Sequence, residues 1–289
     1  MALYFPASNE RISHGNNSSL NSLSNWTAML WLRLRANTAN GEFLAAKNGA
    51  GSNDMYWYAG TMAEGNGQCG WFLDRTSDFS SVVANPGTLT LDVWAFVAMR
   101  DGTSQTPTLF KGDVSTLAAE VSYAFQGGGT SAASDNSAGA LVIGGGDTGN
   151  RQSNCELAYV WLYNRMLTDS EVWMHQWNGF YQTDGCVLHT SYWNTSAAGL
   201  KDLSPFGNHG TVNNTPDVVP HVSIPFRRRE RIYVPVAAAG AGDRVIPPTK
   251  LAGKTGGGKR GGKQLAPLWI PPKPKIERPT PAIVRELRG

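Results

Sequence analysis

The chain has 289 residues and a formal net charge of +3, and this small value hides two parts of opposite charge. Residues 225–289 carry 15 Lys and Arg against 4 Asp and Glu, whereas residues 1–224 carry 10 against 18. No run approaches the roughly 18 apolar residues of a membrane-spanning helix, and the first residues do not resemble a signal peptide, so we expect neither.

Residues 1–224 alternate between short strand-like runs and clusters of Gly, Asn and Ser. In residues 27–35 every second residue from Leu30 to Leu34 is Leu, as expected for a strand with one face in a core. Similar runs occupy residues 42–47, 55–59, 69–73, 80–84, 93–100, 108–111, 140–144 and 156–163. Strands at this spacing, separated by turn residues, predict an antiparallel sandwich or barrel.

One helix is predicted after the last of these runs. Thr168 and Glu171 have the spacing of a capping box, and Gly179 ends the pattern. Val172 and His175 would lie on the same face of this helix.

The cysteines do not form a recognisable framework. Cys69, Cys155 and Cys186 are an odd number and are widely separated, so neither a zinc site nor a disulfide scaffold is expected. We interpret all three as buried free thiols.

Residues 225–289 are predicted to form an extended basic arm rich in proline and glycine. Ten of the 16 prolines lie there, and the segment cannot bury enough apolar surface to fold alone, so we expect another molecule to hold it. The predicted partner-binding residues are Arg227, Arg228, Arg229, Arg231, Lys254, Lys259, Arg260, Lys263, Leu268, Trp269 and Ile270. The apolar residues around Trp269 would anchor in a groove of the partner, while the charges suit an acidic protein surface or DNA phosphates. The arm has no amphipathic helical period, so membrane binding is not expected.

Several segments of the body resemble laminin-G-like domains of the concanavalin A-like type. The opening Ala-Leu-Tyr-Phe at 2–5 is followed by a Thr-x-x-x-Trp strand at 27–31, and Asp-Leu-Ser-Pro-Phe-Gly-Asn-His-Gly stands at 202–210. Residues 94–102, 108–112, 140–145 and 156–171 resemble the central hairpin, the closing strands and the short helix of the family. The resemblance implies an all-β antiparallel sandwich, a concanavalin A-like jelly roll, over residues 1–224. In the family the 202–210 type of turn often precedes the sandwich, whereas here it follows it.

This sandwich hosts lectins, glucanases, adhesion modules and virion proteins, so the fold by itself does not give the function. Compact versions without a signal look similar to structural proteins of tailed phages. We therefore expect a non-enzymatic virion protein, assembled in the cytoplasm of a bacterial host. It would be a capsid decoration or cement protein whose arm binds the major capsid protein and other copies of itself. The alternative is a carbohydrate-binding adhesin on a tail or head fibre that recognises a glycan of the host surface.

No catalytic constellation is found in the sequence. Glucanases of the family that this chain resembles place their paired carboxylates on one strand with the sequence Glu-x-Asp-x-x-Glu. No such motif occurs in this sequence. Asp74 and Asp78 are interpreted as turn residues, and His209 as a backbone-bonding residue of its turn.

Two kinds of binding site stay open. Trp57, Tyr58, Trp71 and Tyr192 could form an aromatic platform for a sugar, although core positions are the competing interpretation. The resemblance also leaves room for a calcium ion on the rim, near Asp54 and Asp147; otherwise no cofactor is expected.

Overall fold

The computed structural model describes residues 1–222 except 7–8, 38–41, 48–54, 63–64, 104, 146–152 and 179–181. Within these residues, sixteen strands form two eight-stranded antiparallel sheets that pack face to face, together with one α-helix and one short 3₁₀ turn. The all-β sandwich with a single short helix, predicted from the sequence, is confirmed. The boundary at residue 224 and the arm at 225–289 lie outside the described residues and stay predictions.

We call the two layers sheet A and sheet B. The strands of sheet A are β1 (Ala2–Tyr4), β3 (Trp26–Leu34), β8 (Trp94–Asp101), β9 (Thr108–Gly112), β10 (Ala119–Glu120), β13 (Cys155–Tyr163), β14 (Cys186–Thr190) and β16 (Asp217–Val219). The strands of sheet B are β2 (Arg11–Ser13), β4 (Glu42–Lys47), β5 (Met55–Met62), β6 (Gly65–Asp74), β7 (Phe79–Ala84), β11 (Tyr123–Gly127), β12 (Leu141–Ile143) and β15 (Thr211–Asn213).

Strands distant in sequence lie side by side in both sheets. The order in sheet A is β10-β9-β8-β3-β13-β1-β16, with β14 also paired to β13, and the order in sheet B is β11-β7-β6-β5-β4-β12-β2-β15. The strand regions predicted from the sequence all contain strands of the structure. The resemblance to a jelly roll is thus borne out in the two-sheet topology.

Strand β3 shows how alternation builds the core. Leu30 and Leu32 face sheet B and are buried in the main core between the sheets. Met29 and Trp31 point to the other side of sheet A, where they belong to a second buried cluster. Because side chains alternate along a strand, one run of residues supplies two separate packing layers.

The helix α1 (Asp169–Asn178) covers part of the outer side of sheet A. Its capping box is reciprocal: the Thr168 amide donates to Glu171 Oε2 at 2.8 Å, and the Glu171 amide donates to Thr168 Oγ1 at 3.3 Å. Val172 and His175 are buried against the sheet, as the predicted helix face requires. The capping-box prediction is therefore confirmed.

The three cysteines are free and fully buried, which confirms the interpretation from the sequence. Burial raises the pKa of the Cys69 thiol to about 12, so this thiol stays protonated at neutral pH.

Candidate functional site

Three aromatic rings form a staircase across the outward side of sheet B. The ring centroids of Tyr56 and Phe72 are 5.2 Å apart with 17° between the planes, and those of Phe72 and Phe79 are 5.5 Å apart with 19°. Carbon atoms in contact are only about 3.5–4 Å apart, so nearly parallel rings at these centroid distances must be offset. Each ring therefore leaves part of a face uncovered, and Phe79 is 48% exposed. We call Tyr56, Phe72 and Phe79 the aromatic staircase.

The alternation of β5 and β6 places these rings outside. Trp57 and Trp71, the sequence neighbours of Tyr56 and Phe72, pair opposite each other and are fully buried in the main core. Tyr56 and Phe72 are likewise direct cross-strand partners, but on the opposite side of the sheet. Phe79 stands on the next strand, diagonal to Phe72.

Tyr58 supports the staircase from one end. Its ring packs against Tyr56 with centroids 5.7 Å apart, and its hydroxyl donates to the Val82 carbonyl at 3.2 Å. To reach that carbonyl, the ring crosses strand β6 over Gly70. A Cβ atom at residue 70 would lie 2.7 Å from the Tyr58 hydroxyl and 2.2 Å from the Val82 oxygen, so only glycine fits there.

Carboxylates stand at the Phe79 end of the staircase. Asp74 is the direct cross-strand partner of Phe79. Asp78 precedes Phe79, and its carboxylate accepts hydrogen bonds from the Ser131 hydroxyl and from the Thr130 amide, the latter at 2.8 Å. These bonds hold the pKa of Asp78 below its usual range, so it is anionic at neutral pH. The interpretation of Asp74 and Asp78 as turn residues agrees with this geometry, since the Arg75 amide donates to the Asp78 carbonyl at 3.0 Å.

A buried ion pair between Arg75 and Asp101 lies at the neighbouring end of the sandwich. Arg75 and Asp101 are both fully buried and 2.5 Å apart, and Arg75 Nε also donates to Ser80 Oγ at 2.8 Å. Burial raises the pKa of Asp101, although the Arg75 charge opposes this change. Because neither group reaches solvent, the pair serves packing rather than chemistry on a bound molecule.

The turn at 202–210 is a second polar network without an open site. Asp202 Oδ1 accepts from the amides of His189 and Ser204, both at 2.8 Å, and Asp202 Oδ2 accepts from the Asn208 amide at 2.7 Å. His209 Nδ1 accepts from the Asp202 amide at 3.2 Å. The predicted backbone-bonding role of His209 is therefore confirmed.

The same turn fixes a buried histidine. His14 Nδ1 lies 2.7 Å from the Asn208 carbonyl and therefore carries the proton, so His14 Nε2 accepts from the Tyr192 hydroxyl at 2.7 Å. Burial lowers the pKa of His14 to about 4, which keeps the imidazole neutral. Both ring nitrogens of His14 are therefore occupied by hydrogen bonds to Asn208 and Tyr192, and neither nitrogen is left to contact a substrate.

A shallow groove of about 480 Å³ lies near one end of sheet A. Its walls include Trp94, Val114 and Val222, and two carboxylates, Asp92 and Asp113, line it as well. The groove can receive an apolar side chain, but it brings together no set of groups that suggests catalysis.

The sequence left two interpretations of four aromatic residues open, a sugar platform or core positions, and the structure confirms core positions for three of them. Trp57, Trp71 and Tyr192 are fully buried, so none of them can meet a ligand. Tyr58 does lie on the outward side of sheet B, but it is 4% exposed and supports other rings. The sequence analysis missed the residues on the outward side, namely Phe79, which is exposed, and Tyr56 and Phe72, which are half-buried. The available signal was the adjacency of aromatic residues at 56–58 and 71–72, because strand alternation forces one of two neighbours outward.

Other predicted site residues cannot be placed. Asp54, Asp147 and the whole arm from Arg227 to Ile270 lie outside the described residues. Among the residues that the structure does describe, no group of three or more His, Cys, Asp or Glu could hold a metal ion. Over the same residues, no helix is long and apolar enough to span a membrane.

Fold and sequence together define the class of protein. The chain belongs to the concanavalin A-like lectin/glucanases superfamily, in its laminin G type, and the family model matches residues 7–173. The comparison with curated proteins found no match.

One solved structure shows the same fold, and others are similar over part of the chain. A candidate carbohydrate-binding protein from Bacteroides ovatus is 14% identical, with a TM-score of 0.52 over 77% of this chain and 61% of that protein. The chain thus spans about three fifths of the length of that relative. A heptameric pentraxin from Limulus polyphemus is 14% identical, with a TM-score of 0.46 over 60% of this chain and 80% of its own. A sialidase carbohydrate-binding module from Ruminococcus gnavus is also 14% identical, with a TM-score of 0.40 over 60% of this chain and 96% of its own.

Proposed function

We propose that this protein binds carbohydrate on the aromatic staircase of sheet B, without hydrolysing it. The observation that carries the proposal is the offset stack of Tyr56, Phe72 and Phe79 on the outward side of sheet B, where Tyr56 and Phe72 are half-buried and Phe79 is exposed. The C–H face of a pyranose packs on such surface, and nearby polar groups then fix its orientation. The description of the Bacteroides ovatus relative as a candidate carbohydrate-binding protein is in keeping with this role.

The absence of hydrolysis is part of the proposal. Retaining glycosidases need two carboxyl groups about 5–5.5 Å apart on either side of the scissile bond, one of them with a raised pKa. Asp78, beside the staircase, has a lowered pKa and is held by loop hydrogen bonds. It therefore lacks the proton that a general acid must donate.

The test is glycan binding by the full chain, measured on an array and then by calorimetry. The substitution Phe72→Ala should weaken glycan binding at least tenfold, which corresponds to about 1.4 kcal/mol of binding free energy. The reason is that it removes the middle ring of the three. Phe79→Ala should also weaken binding. Phe206→Ala is the matched control, since Phe206 is 46% exposed, close to the 48% of Phe79, and lies in the 202–210 turn. If Phe79→Ala and Phe206→Ala behave alike on every bound glycan, the staircase is not the site.

The charge asymmetry of the chain favours a second candidate function. We propose that the basic residues 225–289 anchor the protein in a phage particle, as a decoration or cement protein or as part of a fibre adhesin. Its partners would be the major capsid protein and other copies of itself, with DNA phosphates as a further target of the arm. The observation behind this candidate is the contrast of 15 Lys and Arg with 4 Asp and Glu in those residues.

Deletion of residues 225–289 tests this candidate. The shortened protein should be lost from purified particles, while its glycan binding is retained. An anchor that depends mainly on charge should also release in 1 M salt, where the Debye length falls to about 3 Å, whereas an anchor at Trp269 should resist. Normal and stable incorporation of the shortened protein would reject the anchoring role.

A further inference from the structure

The strands that carry the staircase, β5, β6 and β7, and the neighbouring strand β11 contain one carboxylate, Asp74, and no basic side chain. Asp74 stands directly opposite Phe79, and Asp78 is anionic at neutral pH for the reasons given above. A ligand lying on the three rings therefore meets negative charge at the Phe79 end.

A third carboxylate lies close to this end. The Ser134 amide donates to the Asp74 carbonyl at 3.0 Å, which places the next residue, Asp135, beside β6. Asp135 is exposed, and a hydrogen bond from the Ser137 amide at 2.9 Å holds its pKa below the usual range. This side chain is therefore also anionic at neutral pH.

Two described cations near this end, Arg75 and Lys47, do not reach the ligand. Arg75 is fully buried and pairs with Asp101 at 2.5 Å. Lys47 is fully buried as well, and its ammonium group donates to the Gly139 carbonyl at 2.5 Å. Neither can offer a hydrogen bond to a carboxylate or sulfate on the outward side of the sheet.

We infer that the aromatic staircase selects uncharged glycans and rejects the same glycans when they carry a carboxylate or sulfate group. This inference rests on the proposed carbohydrate-binding function and names the chemical class of its ligand. Neutral sugar hydroxyls donate hydrogen bonds to carboxylates, and such charge-assisted bonds are stronger than neutral ones. An acidic sugar adds repulsion and finds no cation among the described residues of this surface.

The experiment compares matched pairs. Neutral oligosaccharides are printed beside their sialylated and sulfated forms, and the full chain is applied at 10 mM and at 150 mM salt. For an assumed separation of about 8 Å from the added charge, two or three carboxylates should favour the neutral member by about fivefold at 10 mM. At 150 mM the Debye length is about 8 Å, and the preference should fall to about two- to threefold.

The double variant D74N/D78N should lower the preference at 10 mM from about fivefold to about twofold or less, since Asp135 is the only one of the three carboxylates that remains. The neutral glycan should still bind, but more weakly, because amide oxygens replace the carboxylates as acceptors of its hydroxyl hydrogen bonds. Asparagine can keep the loop contact at Asp78, because its Oδ1 can accept from the Thr130 amide while its Nδ2 donates to the Ser131 hydroxyl oxygen, which then becomes the acceptor. Asp217→Asn is the matched control, because Asp217 is an exposed carboxylate on β16 of sheet A, and it should leave the preference unchanged.

The outcomes separate the two proposals. Equal or stronger binding of the acidic members at 10 mM overturns the charge selection but leaves the staircase as a glycan site. Binding to none of the printed glycans rejects the proposed function, and the selection with it. A neutral preference that stays near fivefold at 10 mM in D74N/D78N overturns the assignment to these carboxylates.

Discussion

Acidification from pH 7 to pH 5 should destabilise the folded body through three buried histidines. Burial lowers the pKa of His14 to about 4, of His175 to about 3 and of His189 to about 4. In the unfolded chain each imidazole has a pKa of about 6.5. The unfolded state therefore binds protons that the folded state does not, and the free energy of unfolding falls as the pH drops below about 6.5. This fall continues until each folded pKa is reached.

The size of the effect follows from these values. Each histidine lowers the free energy of unfolding by about 1.4 kcal/mol for every pH unit in this range. Between pH 6.5 and pH 5 this amounts to about 2 kcal/mol for each histidine. Three histidines give about 6 kcal/mol, which is a large part of the stability of an ordinary domain. Asp101 acts in the opposite direction, because its pKa is raised by burial and protonation at low pH then favours the folded state. Asp101 thus offsets part of the fall of about 6 kcal/mol, whereas His221, whose pKa is also lowered by burial, adds to it.

Urea unfolding of the full chain at pH 7, 6 and 5 measures this dependence. In the variant His14→Gln, the fall in the free energy of unfolding between pH 6 and pH 5 should be smaller by about 1.4 kcal/mol. This holds even if the variant is less stable at every pH. A free energy of unfolding that stays within about 1 kcal/mol between pH 7 and pH 5 would refute the reasoning.

Three further predictions concern the core and its polar pairs. Gly70→Ala should cost at least about 2 kcal/mol and displace the Tyr58 ring, measured by urea unfolding and by the tyrosine fluorescence of a variant series, because the added Cβ overlaps the ring. Asp101→Asn should cost about 3–5 kcal/mol by leaving Arg75 buried without its counter-charge, and a loss below 1 kcal/mol in the same assay would show that the pair is solvated. Cys69 should resist a thiol reagent at pH 8 in the folded protein and react in 6 M urea, so labelling of the native thiol within minutes would contradict its burial.

The architecture could be predicted from the sequence because the long strands show a recognisable pattern of residues. Alternation of apolar residues in β3, together with glycine and asparagine between strands, predicts a sandwich without knowledge of pairing. The strands that were missed are short or lie at the margins of the sheets. For example, β10 has two residues, and β15 and β16 have three each with little burial. Such segments become strands only because a partner strand offers hydrogen bonds.

The site was harder to predict because both sides of sheet B are aromatic where β5 and β6 pair. Tyr56 and Trp57 are adjacent, so alternation requires opposite sides but does not say which residue is inside. The answer depends on non-local packing: the rings of Trp57 and Trp71 both approach Trp26 of sheet A, with centroids 6.0 and 4.9 Å away. Three large indoles then fill the space between the sheets, and the smaller rings are left outside.

The pairing of β1 with β16 has a topological consequence. Ala2 is the register partner of Val219, so the two ends of the described body meet on neighbouring strands at the margin of sheet A. A short peptide bridge between them would close the body into a ring with little added entropy cost. New termini could then be opened in an exposed hairpin such as the one at 113–116, and the circularly permuted protein should still assemble both sheets.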